Sequence, residues 1–202
     1  PELLRTQLRA ILRASRQHKI RIMFPMVSTI DEIRSVKAML AEEQAKLGEN
    51  DSLEVGIMVE VPSTAVMASQ FAKEVDFFSI GSNDLTQYTL AMDRDHPRLA
   101  SSADAMNPAV LKVIAETVKG AHKHGKWVGV CGGIASDPQA VAILIGIGVD
   151  ELSVSVPSIP AIKAEVRARS LAECRELAKQ ALEQDDAAAV RALVPLDILN
   201  GA

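Results

Sequence analysis

A chain of 202 residues, 48% of them hydrophobic, has material for one large core. Aromatic residues make up only 3%, so Ala, Val, Ile, Leu and Met must fill that core, as in proteins that bury strands beneath helices. The formal net charge is −4 and the basic residues are dispersed along helical segments. That argues against nucleic acid as a partner, because phosphate-backbone binding needs a concentrated basic face. No apolar run approaches the ~20 residues that span a bilayer, so membrane insertion is not expected, and Pro1 to Ala10 hold charges rather than a signal-peptide core. Cys131 and Cys174 stand in unlike contexts and form no framework, so a reduced, cytoplasmic setting is expected.

Helix and strand signals alternate along the chain. Residues 2–17 set Leu4, Leu8, Ile11 and Leu12 on one helical face. Ile20–Phe24 reads as a strand that stops at Pro25. Thr29–Leu47 reads as a helix with Asp31 and Glu32 at the positive end of its dipole and Gly48 at its close. Strands over Val55–Val59 and Phe77–Ile80 enclose a helix expected over Ser63–Lys73. Residues 81–106 read as a long polar connection. Pro108 then opens a helix to about His122, followed by a strand at Val128–Val130, a helix at Pro138–Ile147 and a strand at Leu152–Val154. Pro157 and Pro160 open a further helix, and residues 171–193 predict one or two terminal helices. The pattern is about five β/α units of a parallel α/β fold, in one domain over residues 1–202. The strands read as near-continuous apolar runs, as if covered on both faces.

In parallel β/α architectures the loops after the C-terminal ends of strands carry function. Three such ends here hold unusual polar groups: Glu60 after Val55–Val59, Asn83 and Asp84 after Phe77–Ile80, and Cys131 before Gly132 and Gly133. Two carboxylates at one rim, Glu60 and Asp84, suit Mg2+, which keeps water and substrate oxygens in the rest of its octahedron. The plainer readings are a cap or loop carboxylate for Glu60 and a turn residue for Asp84. Cys131 is either inert packing or a reactive group in a glycine loop that approaches ligands closely. Cys174, in a helical stretch, reads as structural. Arg94 suits a bidentate grip on phosphate or carboxylate, or else a surface pair with Asp93 or Asp95. His18, His96, His122 and His124 lack the setting of a phosphoryl acceptor.

Residues 77 to 94, Phe-Phe-Ser-Ile-Gly-Ser-Asn-Asp-Leu-Thr-Gln-Tyr-Thr-Leu-Ala-Met-Asp-Arg, closely resemble the signature of enzyme I of the bacterial sugar phosphotransferase system. Related segments occur in phosphoenolpyruvate synthase and pyruvate phosphate dikinase. The resemblance extends through Arg-Ile-Met-Phe-Pro-Met (21–26), Gly-Ile-Met-Val-Glu-Val-Pro (56–62), Lys-Trp-Val-Gly-Val-Cys-Gly-Gly (126–133) and Asp-Glu-Leu-Ser-Val-Ser (150–155), and so covers the chain to about Arg169. It implies a TIM (β/α)8 barrel family member, represented here by a partial barrel, whose rim binds phosphoenolpyruvate and Mg2+. On that resemblance Glu60 and Asp84 are the metal ligands, and Asn83, Asp84 and Arg94 lie against the substrate. Cys131 is the acid that protonates enolpyruvate to pyruvate.

Two departures qualify the match. The family's common Cys-Gly-Glu is Cys131-Gly132-Gly133 here, a form that resembles the enzyme I module of multiphosphoryl transfer proteins. The family's first barrel strands, with several substrate-binding arginines, and its phosphohistidine domain have no counterpart in these residues. Transfer to a histidine and on to a histidine-containing phosphocarrier protein would need them, so the segment alone is expected to be inactive and to bind substrate weakly. Its outer strands are expected to be paired or covered by rearranged helices. The resemblance also implies a homodimer for the full-length protein. The readings left open are a synthase or dikinase barrel and a non-catalytic dimerisation segment.

Overall fold

The computed structural model describes residues 2–48 and 53–195; Pro1 and residues 196–202 of the expected domain lie outside the described residues. Five parallel strands form one sheet: β1 (Arg21–Phe24), β2 (Glu54–Val59), β3 (Phe77–Gly81), β4 (Trp127–Cys131) and β5 (Glu151–Leu152). Each pairs with the next in sequence, giving the order β1-β2-β3-β4-β5. A doubly wound sheet reverses its strand order at a switch point, whereas a barrel adds strands in one direction. This sheet is barrel-like.

Ten helices accompany it among the described residues: α1 (Glu2–Ser15), α2 (Ile30–Leu47), α3 (Pro62–Val66), α4 (Ala68–Phe71), α5 (Ser82–Leu90), α6 (Pro108–His122), α7 (Pro138–Ile147), α8 (Ile159–Ala168), α9 (Leu171–Leu182) and α10 (Ala187–Ala192). Local chemistry sets their ends. In α2 the Thr29 hydroxyl accepts from Glu32 N at 3.4 Å while Glu32 Oε2 accepts from Thr29 N at 2.9 Å, a reciprocal capping box. Gly48, at φ +68°, closes the same helix in the left-handed conformation.

The strands alternate rather than running apolar on both faces. Ile22, Phe24, Val55, Ile57, Val59, Phe78, Ile80, Val128 and Val130 are buried in the main core. The residues between them, Met23, Met58, Ser79, Trp127 and Cys131, are only half-buried on the other face. The sequence hides this alternation because the second face holds glycine, methionine and serine along its middle, with charge only at the strand starts, at Arg21, Glu54 and Glu151. At its lower end Trp127 stacks on Phe77 at 4.7 Å, and the Arg21 guanidinium lies 5.0 Å from the Trp127 ring. A Cβ at Gly56 would fall 2.5 Å from the Phe77 ring, so glycine is what lets the stack lie flat across the strands.

Aspartates brace the lower rim in a repeated pattern. Asp76, just before β3, accepts from Val55 N at 2.9 Å, and its own N–H returns to Val55 O at 2.7 Å. Asp150, just before β5, does the same with Val128, at 2.8 and 2.9 Å. Outside the sheet, α7 and α9 touch at Gly146, where a Cβ would overlap the Cys174 carbonyl. Cys174 is buried there, a packing residue.

Several local expectations need correction. The helix over Ser63–Lys73 is two short helices, α3 and α4, broken at Met67 (φ −98°, ψ 15°). The 81–106 connection is helical over Ser82–Leu90, because α5 starts directly from the end of β3. Residues 171–193, by contrast, hold two helices, α9 and α10, within the expected one or two. β5 stops at Leu152, short of Val154, with a partner on one side only. Among the described residues the β1 and β5 edges are unpaired. Each borders an apolar groove: about 420 Å³ between α1 and β1, and about 540 Å³ between β5 and α8.

Glu43 on α2 is fully buried and accepts from Arg5 at 2.8 Å, Arg9 at 3.2 Å and Lys46 at 2.8 Å. Lys46 first, then Arg5 and Arg9, hold its carboxyl at about 2 against the opposing effect of burial. Because the folded pKa is depressed, the stabilisation is complete above the unfolded value of ~4.3 and lost as pH falls toward about 2. Glu43→Gln should therefore melt below wild type at pH 7, with the gap closing as pH drops through that window. A gap independent of pH in a thermal-unfolding series would contradict this account.

Candidate functional site

Glu60 follows β2 directly and is 6% exposed. Its Oε1 accepts from Met26 N at 2.9 Å, and Met26 is held at φ +52° in the turn after β1. Gly81, the last residue of β3, leaves room for this side chain: a Cβ there would come within 2.7 Å of Glu60 Cγ and 2.9 Å of Met58 Sδ. Burial raises the Glu60 pKa. The Met26 N–H opposes that rise, and the neighbouring Asp84 carboxylate adds to it. Two acids crowded at a half-dry rim call for a cation. Arg94 supplies one at the edge, with Nη2 3.4 Å from Asp84 Oδ1.

Asp84 and Asn83 owe their positions to α5 leaving β3 without a loop. The Ser82 hydroxyl donates to Cys131 O at 2.7 Å, and Asn83 Oδ1 accepts from Gly133 N at 2.9 Å, so the first turn of α5 is stitched to the end of β4. Gly132 makes this possible. Its φ is +88°, and a Cβ would overlap Ser82 Oγ and approach Asn83 Oδ1 to 2.9 Å. Because Oδ1 is occupied, the Asn83 amide is oriented with its N–H groups free to donate to a ligand.

Cys131 is paired in register with Gly81 and is half-buried on the inner face. Burial raises its pKa above the ordinary thiol value, opposed by a weak 4.0 Å hydrogen bond from Ser79 Oγ and reinforced by the Glu60 charge. The thiol is thus kept protonated at neutral pH, which suits a proton donor rather than a nucleophile.

All five residues singled out in the sequence, Glu60, Asn83, Asp84, Arg94 and Cys131, come together at the C-terminal ends of β2, β3 and β4. His122 and His124 do not join them. His122 bonds Asp150 at 2.8 Å at the opposite end of the sheet, and His124 bonds Ser69 at 3.0 Å. Sequence reasoning missed the cleft of about 350 Å³ that Asn83 and Arg94 share with Thr86, Asp104, Asp137 and Arg191. Thr86, whose hydroxyl is buried without a protein partner, sits two residues beyond Asp84 on α5, within a segment whose sequence reads as a long polar connection. Among the described residues no three His, Cys, Asp or Glu side chains form a closed metal cage. A pair of carboxylate oxygens does fit Mg2+, which retains waters and takes oxygens from its substrate.

Residues 1–171 match the family described as PEP-utilising enzyme, PEP-binding domain, and the chain belongs to that family. Among its relatives is a multiphosphoryl transfer protein of Rhodobacter capsulatus, 53% identical over 192 residues, covering 95% of this chain and 23% of that protein. A phosphoenolpyruvate-protein phosphotransferase of Bacillus subtilis is 48% identical over 198 residues, covering 96% of this chain and 35% of that one. The chain thus spans about a quarter to a third of the length of these relatives. In architecture it is similar to the crystal structure of a citrate lyase from Burkholderia xenovorans LB400, at a TM-score of 0.62 and 20% identity, over 94% of this chain and 65% of that one. That likeness concerns the fold alone. No helix among the described residues is long and apolar enough to cross a membrane.

Proposed function

We propose that this chain is the phosphoenolpyruvate-binding part of a phosphotransferase. The phosphoryl group passes from phosphoenolpyruvate to a histidine elsewhere in the full-length protein, then to a histidine-containing carrier protein serving sugar uptake in the cytoplasm. The observation that carries this reading is the meeting of two crowded carboxylates, one arginine and a protonated thiol on a single rim. The family match and the relatives' names support it.

Glu60 and Asp84 would hold Mg2+, which would supply positive charge against the phosphate oxygens. Arg94 turns its guanidinium to the phosphoryl oxygens from the Asp84 side, and the Asn83 amide donates to them. Breaking the P–O bond leaves the electron pair on the enolate oxygen. Cys131 gives its S–H proton to the methylene carbon, yielding pyruvate and a thiolate that solvent reprotonates. The neighbour that this thiol lacks, a carboxylate at Gly133, is not needed for that balance.

The reading is tested by mixing the full-length protein with phosphoenolpyruvate, Mg2+ and a histidine-containing carrier protein, then following pyruvate and carrier phosphorylation. Both should appear in equal amounts and stop when EDTA is added. Carrier phosphorylation from a nucleotide instead would move the chain to the synthase or dikinase side. Binding of neither substrate nor metal would leave only a dimerisation role.

A further inference from the structure

The loop that carries Arg94 runs from Ala91 to Asn107, and the loop that follows Cys131 runs from Gly132 to Asp137. Their far ends meet one guanidinium. Arg191, on α10, donates from Nε to Asp104 Oδ2 at 2.7 Å and from Nη2 to Asp104 Oδ1 at 2.9 Å. Its Nη1 donates to Asp137 Oδ2 and to Gln139 Oε1, both at 2.9 Å. Gln139 answers through Nε2, donating to the carbonyls of Arg191 at 3.1 Å and Val194 at 2.5 Å, so the main chain beyond the guanidinium is tied to α7 as well.

Each carboxylate is also committed to its own loop. Asp104 Oδ1 accepts from Met106 N at 2.9 Å, and Asp137 Oδ1 caps α7 through Gln139 N at 3.0 Å. With Nε, Nη1 and Nη2 all engaged, this cation is occupied by positioning and is not held in reserve for a ligand. Fork geometry of this kind fixes direction as well as distance, which a lysine cannot do. Arg191 also lies beyond the 1–171 span that the family description matches.

We propose that Arg191 is a positioning residue for the rim: through Asp104 and Asp137 it sets the spacing between the loop that bears Arg94 and the loop that follows Cys131. The proposal rests on the reading of that rim as the phosphoenolpyruvate site. Full-length protein carrying Arg191→Met, Arg191→Lys or Asp104→Asn would be compared with wild type by amide hydrogen exchange and by steady-state kinetics. Arg191→Met should speed exchange on the order of tenfold in both 91–107 and 132–137, with β2 to β4 still protected. It should lower kcat/KM for phosphoenolpyruvate on the order of tenfold to a hundredfold, as a shift of about 1 Å in a reacting group does. Arg191→Lys should recover only part of that loss.

Asp104→Asn should loosen 91–107 alone and raise KM while largely sparing kcat, because Arg94 serves binding and Cys131 serves proton transfer. Lower melting temperature with unchanged loop exchange, kcat and KM in the folded variants would overturn the proposal. Should Arg191→Met fail to fold, the Asp104→Asn exchange pattern and kinetic split decide the matter. If wild type turns over no phosphoenolpyruvate, the functional reading falls. The exchange data then judge the latch separately: loosening of both loops supports it, and unchanged loops overturn it.

Discussion

In the full-length protein, Cys131→Ala is expected to lower pyruvate formation by on the order of 10² to 10⁴ while leaving phosphoenolpyruvate affinity within about twofold. A general acid acts as the proton moves, so its removal raises the barrier without removing a ground-state contact. The geometry supports this separation. Cys131 reaches the rim from β4, whereas the groups suited to phosphate, Asn83 and Arg94, come from α5 and the loop after it. The Ser82 contact is to the Cys131 carbonyl, so truncating the side chain leaves the stitching of α5 to β4 in place. Direct measurement of pyruvate release beside equilibrium binding decides it. Turnover near wild type would remove Cys131 from the mechanism, and loss of binding equal to loss of turnover would make it a packing residue.

Glu60→Gln and Asp84→Asn are expected to raise the Mg2+ concentration needed for half-maximal activity by on the order of tenfold or more, since each removes a hard anionic donor. A second consequence follows from the crowding of the two acids. Burial and the Asp84 charge make the ionised Glu60 costly when no cation is present. Glu60→Gln should thus melt at or above the wild-type temperature in EDTA. It should also lose most of the stabilisation that Mg2+ with phosphoenolpyruvate gives the wild type. Such opposite movements in the two conditions are hard to obtain from a purely structural carboxylate. A variant that is destabilised in EDTA and still stabilised normally by the pair of ligands would show that Glu60 serves the fold.

The parts of this molecule legible in the sequence are those set by local patterns. The runs at 20–24, 55–59, 77–80 and 128–130 became strands within a residue or so of their expected ends, because a buried parallel strand needs little more than branched apolar side chains. Polar groups directly after such runs mark the rim, which is why the sequence places Glu60, Asn83, Asp84 and Cys131 at the strand ends where they lie. What escaped notice depends on distant partners. The segment Ser82–Leu90 has no strong apolar face, and its helix is held at the start by Cys131 and Gly133, some fifty residues on. The pairing of Arg191 with Asp104 joins residues 87 apart, and no spacing rule reaches across that interval. The β5 strand ended early for a related reason: with a neighbour on one side, extended backbone beyond Leu152 has less to pair with.

The one-directional strand order bears on how the chain acquires its structure. Among the described residues each of β2 to β5 pairs with the strand before it in sequence, so each new unit emerging during synthesis finds its partner already made. The aspartate braces at Asp76 and Asp150 act at these same joins, tying a strand about to begin to the one just completed. Contacts of short sequence separation cost little loop entropy and form early, whereas a bond spanning 87 residues must wait for both ends. The upper rim would therefore be the last region to acquire its final geometry, set when α10 arrives and Arg191 closes on the two loops. A ribosome-bound chain stalled before residue 187 should already hold its sheet and still lack an ordered rim.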